Sequence, residues 1–163
     1  TPKPSSAASD VYKRQIHMVK HDFKVKTEWL GGREEVGQLR GDIINENISI
    51  PSSLGGQGKG TNPDELLVSA ASSCYIISLA ATLEKSGFTN VKINQQSIGT
   101  ASFENKKFKM ERITHYPSIE VPSSQKEKLK SILDKLLVIA DKNCMISNAI
   151  RNNVIISIEP NLI

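Results

Sequence analysis

The side chains able to carry covalent chemistry are few: two cysteines, Cys74 and Cys144, in a chain of 163 residues. Cys74 lies inside NPDELLVSAASSCYIISLA, residues 62–80, among small and apolar neighbours, with acids only where the stretch begins. Ala70, Ala71, Ser72, Ser73 and Ser78 permit close approach by a packed element or by a substrate. A thiol so placed is either an inert small hydrophobe or a nucleophile, and its neighbours alone leave both readings open. Cys144 falls just past a predicted helix end, before a short ISNAI turn, where partial access is expected. The two lie far apart in sequence and form no CxxC pair, so any disulfide between them has to be built by tertiary structure. His17, His21 and His115 add no ligand pair at zinc-site spacing, and no metal is expected.

The elements around these residues follow from pattern. FKVKTEW (23–29) alternates as a half-buried strand does. LGGRE (30–34) reads as a hairpin turn, with strands following at Val36–Arg40 and Ile43–Ile50. IPSSLGGQGKGTNP is a flexible loop by composition, and its glycines lack the spacing of a phosphate-binding loop. Asn62 and Pro63 start a helix, Asp64 and Glu65 complement its dipole, and Gly87 stops it after about Ser86. Between Leu66 and Leu83 it carries no charge, which predicts a central helix enclosed on every side.

Three strand-like stretches follow, near Val91–Gly99, at Thr100–Phe103 with Phe108–His115, and at Tyr116–Val121. Ser124 and Glu127 suggest a capping box for a second helix to about Lys142, with Leu129, Ile132, Leu133, Leu136, Ile139 and Ala140 as its apolar stripe. VIISIE (154–159) closes the chain as a strand. Strands, helix, strands, helix, strand make an α+β fold. Tyr75, Ile76, Ile77 and Phe88 are expected in the core, or lining an apolar pocket.

Length suits one domain with a real core. Hydrophobic content of 38% against 23% charged residues fits a globular chain, with no apolar run long enough to span a bilayer and no signal peptide in view. Two cysteines without a secretion signal are expected as free thiols in a reducing cytoplasm. The net charge of +4 includes Lys3, Lys13 and Arg14 against Asp10 in the first 15 residues. No basic run remains beyond them and aromatics are few, so nucleic acid is not an expected partner. Ser5–Gln15, SSAASDVYKRQ, has the look of a translated sequencing adapter. Residues 1–17 are therefore set aside as a non-native or disordered tail, the native start is expected at Met18, and 18–163 is expected to form one domain.

WLGGRE, NPDELLVSAASSC and ADKNCMISNAIRNNV, in that order, resemble the OsmC/Ohr family of organic hydroperoxide reductases and osmotically induced relatives. The resemblance spans nearly all of 18–163. It implies an OsmC-like fold, with antiparallel sheets around a central buried helix, in an intertwined homodimer. It further implies a cytoplasmic thiol peroxidase active on organic hydroperoxides, without metal, haem, flavin or other cofactor. Cys74 matches the peroxidatic position and Cys144 the resolving one, with a Cys74–Cys144 disulfide that a dithiol or lipoylated protein reduces back to the two thiols. Arg33 matches the catalytic arginine of the GGR turn, and Asp64 the acid that orients it. Taken without the resemblance, Arg33 is a solvated turn residue and Asp64 a helix-dipole partner.

Asp64 and Cys74 are ten residues apart, or roughly 15 Å along an unbroken helix. Either the helix breaks after Asp64, or the acid and arginine reach Cys74 from a partner chain. The chain departs from the family pattern in having Asp where Glu is usual, with Glu65 beside it as a fallback, and Met145 where many relatives have proline. These departures suggest a separate subfamily with Asp after the NP of this helix. The alternative from another class is a dimeric stress or small-molecule-binding protein whose cysteines are structural.

Overall fold

The computed structural model describes residues 19–163, which divide into two compact units meeting in sequence at Gly60 and Thr61. The tail assignment for residues 1–17, with His17 and Met18, lies outside the described residues.

The N-terminal unit is an antiparallel meander of β1 (Lys26–Glu28), β2 (Gly37–Arg40) and β3 (Asn45–Ile48), in the order β1-β2-β3. The first strand is shorter than the alternation of 23–29 predicts, because β2 offers only Gln38–Arg40 as partners for Lys26–Glu28. Trp29 packs against Gly37, where any Cβ would strike the indole, and its Nε1 donates to Gly32 O at 2.9 Å. The glycine-rich loop is pinned rather than loose. Gly58 N donates to Ile50 O at 3.0 Å, and Ser49 Oγ both donates to Lys59 O and accepts from Lys59 N at 2.8 Å.

The second unit begins with α1 (Pro63–Lys85). Asn62 caps it, its side chain accepting from Glu65 N at 2.9 Å, and Gly87 stops it at φ +94°. Two long antiparallel strands follow, β4 (Lys92–Glu104) and β5 (Lys107–Glu120). They replace the three stretches read from the sequence. Asn105 and Lys106, both at positive φ, turn the chain in two residues, and one irregularity at Thr100/Ala101 absorbs the break in alternation. At the tip of this hairpin Phe103 and Phe108 pack together, largely exposed.

Next come α2 (Ser123–Asn143), α3 (Met145–Ile150), β6 (Ile155–Ile158) and a short β7 (Asn161–Leu162). The predicted capping box does not form: Ser123 is already helical, Pro122 precedes it, and no side chain caps this end. β6 and β7 each pair with β5 in parallel, so the second sheet is mixed. The fold class is α+β, as the element order predicts.

Tyr75, Leu79 and Leu83 of α1 and Leu129, Leu133, Leu136, Leu137 and Ala140 of α2 form the core with Phe88, Ile119, Val121 and Cys144. α1 buries Ala71, Tyr75, Leu79, Thr82 and Leu83 along one face. Its opposite stripe, Ser69, Ser73, Ile77, Ala80 and Ala81, is exposed in the single chain, Ile77 at 68%. One chain therefore covers α1 on one side only, and the expectation that Ile77 lies in its own chain's core is corrected. The statement that no apolar run reaches bilayer-spanning length is corrected too. Helical from Pro63 to Lys85, with charges only near its ends, α1 is long and apolar enough by composition. Its buried face and its packing on α2 and β4 are those of a core helix.

Candidate active site: a paired-thiol centre

α1 and the junction between α2 and α3 position the two sulfurs. Cys74 sits mid-helix, half-buried, packed against the core cluster to which Cys144 belongs. Cys144 caps two helices at once, ending α2 and starting α3 from an extended conformation (φ −80°, ψ 109°). Its side chain turns inward and is fully buried. Accessibility is thus the reverse of the sequence expectation: the helix cysteine is the more open and the junction cysteine the closed one. The reversal arises because the helix-ending turn faces the core rather than solvent.

Burial is the largest influence on Cys144 and pushes its thiol above the ordinary range. Ser147 opposes it. The Ser147 backbone N–H donates to Cys144 Sγ at 3.4 Å, and the Ser147 side chain also works toward the thiolate. Its hydroxyl is fully buried and completes no hydrogen bond among the described residues. The Cys74 thiol is a further neighbour of Cys144, and both its hydrogen bonding and its charge disfavour a Cys144 thiolate. Both sulfurs are free thiols, brought into one neighbourhood by tertiary structure alone.

The other two candidates are Asp64 and Arg33. Asp64 is exposed in the first turn of α1, beside Glu65, whose carboxylate accepts from Thr61 Oγ1 at 2.9 Å. α1 runs without interruption from Pro63 to Lys85, so a break after Asp64 is ruled out and one helix keeps Asp64 and Cys74 about 15 Å apart. Arg33 belongs to the N-terminal unit, where it is exposed and its Nη2 donates to Leu54 O at 3.4 Å.

Two features escaped sequence reading. His115, fully buried, stacks on Tyr75 with ring centroids 5.0 Å apart and interplanar angle 4°. Its Nδ1 is 2.6 Å from Ser97 Oγ, which is 2.8 Å from Ser72 Oγ; Gln95 Nε2 donates to Ser72 O and Oγ at 2.9 and 3.0 Å. Burial lowers the pKa of His115, while the charge of Asp141 works against that. The one sequence signal was the alternation that sets Gln95, Ser97 and His115 on the same face of paired strands, and it names no partner. Ser147 was visible only as a serine three residues after Cys144, the spacing at which a capping side chain meets a backbone N–H.

A cavity of about 640 Å³ opens beside the first half of α1, walled by Asp64, Glu65, Val68, Ser72, Ser97 and Met110 among others. Neither cysteine lines it. Among the described residues no cluster of His, Cys, Asp and Glu could hold a metal ion.

The profile of the OsmC-like protein family matches residues 56–159. An uncharacterised protein, YmaD of Bacillus subtilis (strain 168), is 37% identical over 142 residues, 87% of this chain and 95% of that protein. The organic hydroperoxide resistance protein of Xanthomonas axonopodis pv. citri (strain 306) is 28% identical over 127 residues, 76% of this chain and 84% of that one. Among solved structures, an OsmC-like protein of unknown function from Vibrio cholerae superposes with a TM-score of 0.70 at 19% identity, over 85% of this chain and 99% of that chain. The organic hydroperoxide resistance protein OhrB of Bacillus subtilis superposes with a TM-score of 0.60 at 23% identity, over 86% and 98%. At these identities the superpositions speak for the fold.

Proposed function

Since this chain belongs to the OsmC-like protein family, we propose that it is a thiol peroxidase that reduces organic hydroperoxides to alcohols. The observation that carries the reading is the placing of Cys74, half-open on an uncharged helix, next to a buried second thiol at Cys144. The organic hydroperoxide resistance proteins among its relatives supply the substrate class.

In this reading the Cys74 thiolate attacks the hydroperoxide, the O–O bond breaks, and the alkoxide leaves with the electron pair and is protonated to the alcohol. Cys74 is left as a sulfenic acid. The Cys144 sulfur then attacks the Cys74 sulfur; the S–S bond forms, the S–O bond breaks, and the hydroxyl departs as water. A dithiol, free or as a protein-bound lipoyl group, reduces the disulfide by two exchanges and is itself oxidised. The sulfurs carry all the electrons, so no metal or organic cofactor enters. The reducing cytoplasm is the compartment in which this cycle runs.

The thiolate needs a nearby cation, and Arg33 is our candidate, held in place by Asp64 through a charge-assisted hydrogen bond. The unbroken α1 keeps the acid of one chain away from its own Cys74, so we assign Arg33 and Asp64 to Cys74 of a second copy in a homodimer. The uncharged stripe through Ser73, Ile77 and Ala80 is the face that the second copy covers.

Peptide mapping after one equivalent of cumene hydroperoxide tests the chemistry. An internal Cys74–Cys144 disulfide is expected, with one alcohol released per disulfide. Cysteines still reduced after that treatment would refute it. The cavity, whose walls include neither cysteine, favours a second reading, a small-molecule-binding protein with structural cysteines. Under that reading Cys74 reacts with peroxide and alkylating agents only in denaturant.

A further inference from the structure

Cys144 presents a chemical difficulty. Its thiol is fully buried, and burial favours the neutral form, whereas exchange requires sulfur to enter or leave the disulfide as a thiolate. We propose that Ser147 is the residue that solves it: its backbone N–H already donates to the Cys144 sulfur, and its buried, unpaired hydroxyl rotates onto that sulfur when it becomes a thiolate and holds the charge there during exchange. This deepens the proposed thiol-peroxidase reading and rests on it.

The Ser147 hydroxyl is fully buried and completes no hydrogen bond among the described residues while Cys144 is a thiol. Leaving a hydroxyl unpaired in the interior is costly, and the cost falls when an acceptor arrives. A thiolate at Cys144 is that acceptor. The serine therefore favours the charged form over the neutral one, opposing the effect of burial and of the neighbouring Cys74 thiol. The backbone N–H, already 3.4 Å from the sulfur, fixes the serine in position for this.

The consequence falls on two steps. When the Cys74 sulfenic acid is resolved, Ser147 keeps the Cys144 sulfur anionic as it forms the S–S bond and displaces hydroxide, which leaves as water. When a dithiol reduces the disulfide, its thiolate attacks Cys74, the S–S bond breaks, and Cys144 departs with the electron pair. A leaving thiolate stabilised by Ser147 departs faster. The reaction of Cys74 with the hydroperoxide does not involve Ser147.

The test titrates the Cys144 thiolate by its ultraviolet absorbance in a full-length Cys74→Ser protein, where it is the one remaining cysteine and no peroxide is needed. Ser147→Ala and Ser147→Gly are each compared with Ser147→Thr, which keeps a hydroxyl. Removal of the hydroxyl is expected to shift the midpoint upward, with the thiolate fraction at neutral pH falling about tenfold, and threonine to bring it back toward the parent. In the two-cysteine protein, Ser147→Ala should slow reduction of the disulfide by dithiothreitol by a similar factor and leave sulfenate formation at Cys74 unchanged. An unmoved midpoint in the alanine or glycine variant, with circular dichroism unchanged, overturns the proposal even if peroxidase activity is present. A shifted midpoint without peroxide turnover upholds the role of Ser147 and instead removes the peroxidase reading.

Discussion

Arg151 Nη1 lies 2.7 Å from Asp141 Oδ2, joining the chain before Cys144 to the chain after it. The same guanidinium donates from Nη2 to Asn148 Oδ1 at 2.9 Å and to Asp141 O at 3.3 Å, while Asn148 Nδ2 donates to Lys142 O at 2.9 Å. The end of α2 is thereby fastened to α3 on both sides of the cysteine. Met145 follows that cysteine where a proline would have stiffened the turn. The clasp supplies the stiffness through side chains instead.

Arg151→Ala is accordingly expected to destabilise the fold by about 1 kcal/mol, the scale for a partly exposed pair that also makes neutral hydrogen bonds. Urea unfolding measures this. The same variant should slow disulfide closure after peroxide more than it slows oxidation of Cys74, because only closure depends on the junction. Equal slowing of both steps would leave the clasp no specific part in resolution.

His115 makes stability depend on pH in a defined direction. Burial lowers its pKa in the folded chain, so the unfolded chain binds the extra proton first as pH falls. Stability is then complete above the unfolded histidine value of about 6.5 and declines as pH drops from there toward the folded value. The nearby Asp141 charge softens the decline without reversing it. His115→Gln should show a flatter change in urea midpoint between about pH 7.5 and pH 5.5 than the parent protein. A parallel pair of curves would show that folding does not change the proton affinity of His115.

Ile77 tests the second copy. It is 68% exposed on the uncharged stripe of α1. Ile77→Glu places a charge where a partner helix is proposed to lie, and burial of an unpaired charge is strongly unfavourable. Sedimentation should report dimers for the parent and monomers for the variant at micromolar concentration. Monomers for both would contradict the proposed dimer and leave Arg33 and Asp64 without a route to Cys74.

Local chemistry was the legible part of the sequence. Asn62, Pro63 and Gly87 mark both ends of α1 because caps are decided by one or two residues. The break between Phe103 and Phe108 holds the Asn105–Lys106 turn, whereas the breaks read after Gly99 and after His115 do not exist, because β4 and β5 stay paired through both points. The degree of exposure of each cysteine was misread for another reason. Whether a helix-ending turn faces inward depends on the core it joins, here the cluster that Cys144 shares with Tyr75, Leu137 and Ala140, and no local pattern encodes that. The pairing of Ser147 with Cys144 was at least local in spacing. The stacking of His115 on Tyr75 joins a strand to a helix and needed the fold.

Peroxide consumption by the reduced protein tests the central claim most directly. Cumene hydroperoxide and hydrogen peroxide are compared with dihydrolipoamide or dithiothreitol in excess, beside Cys74→Ser and Cys144→Ser. The account predicts rapid turnover of the organic peroxide, its loss in Cys74→Ser, and a stall after a single oxidation in Cys144→Ser. Absence of turnover by the intact protein with either dithiol would contradict it, and would mean that the fold holds its two thiols together for a purpose other than peroxide reduction.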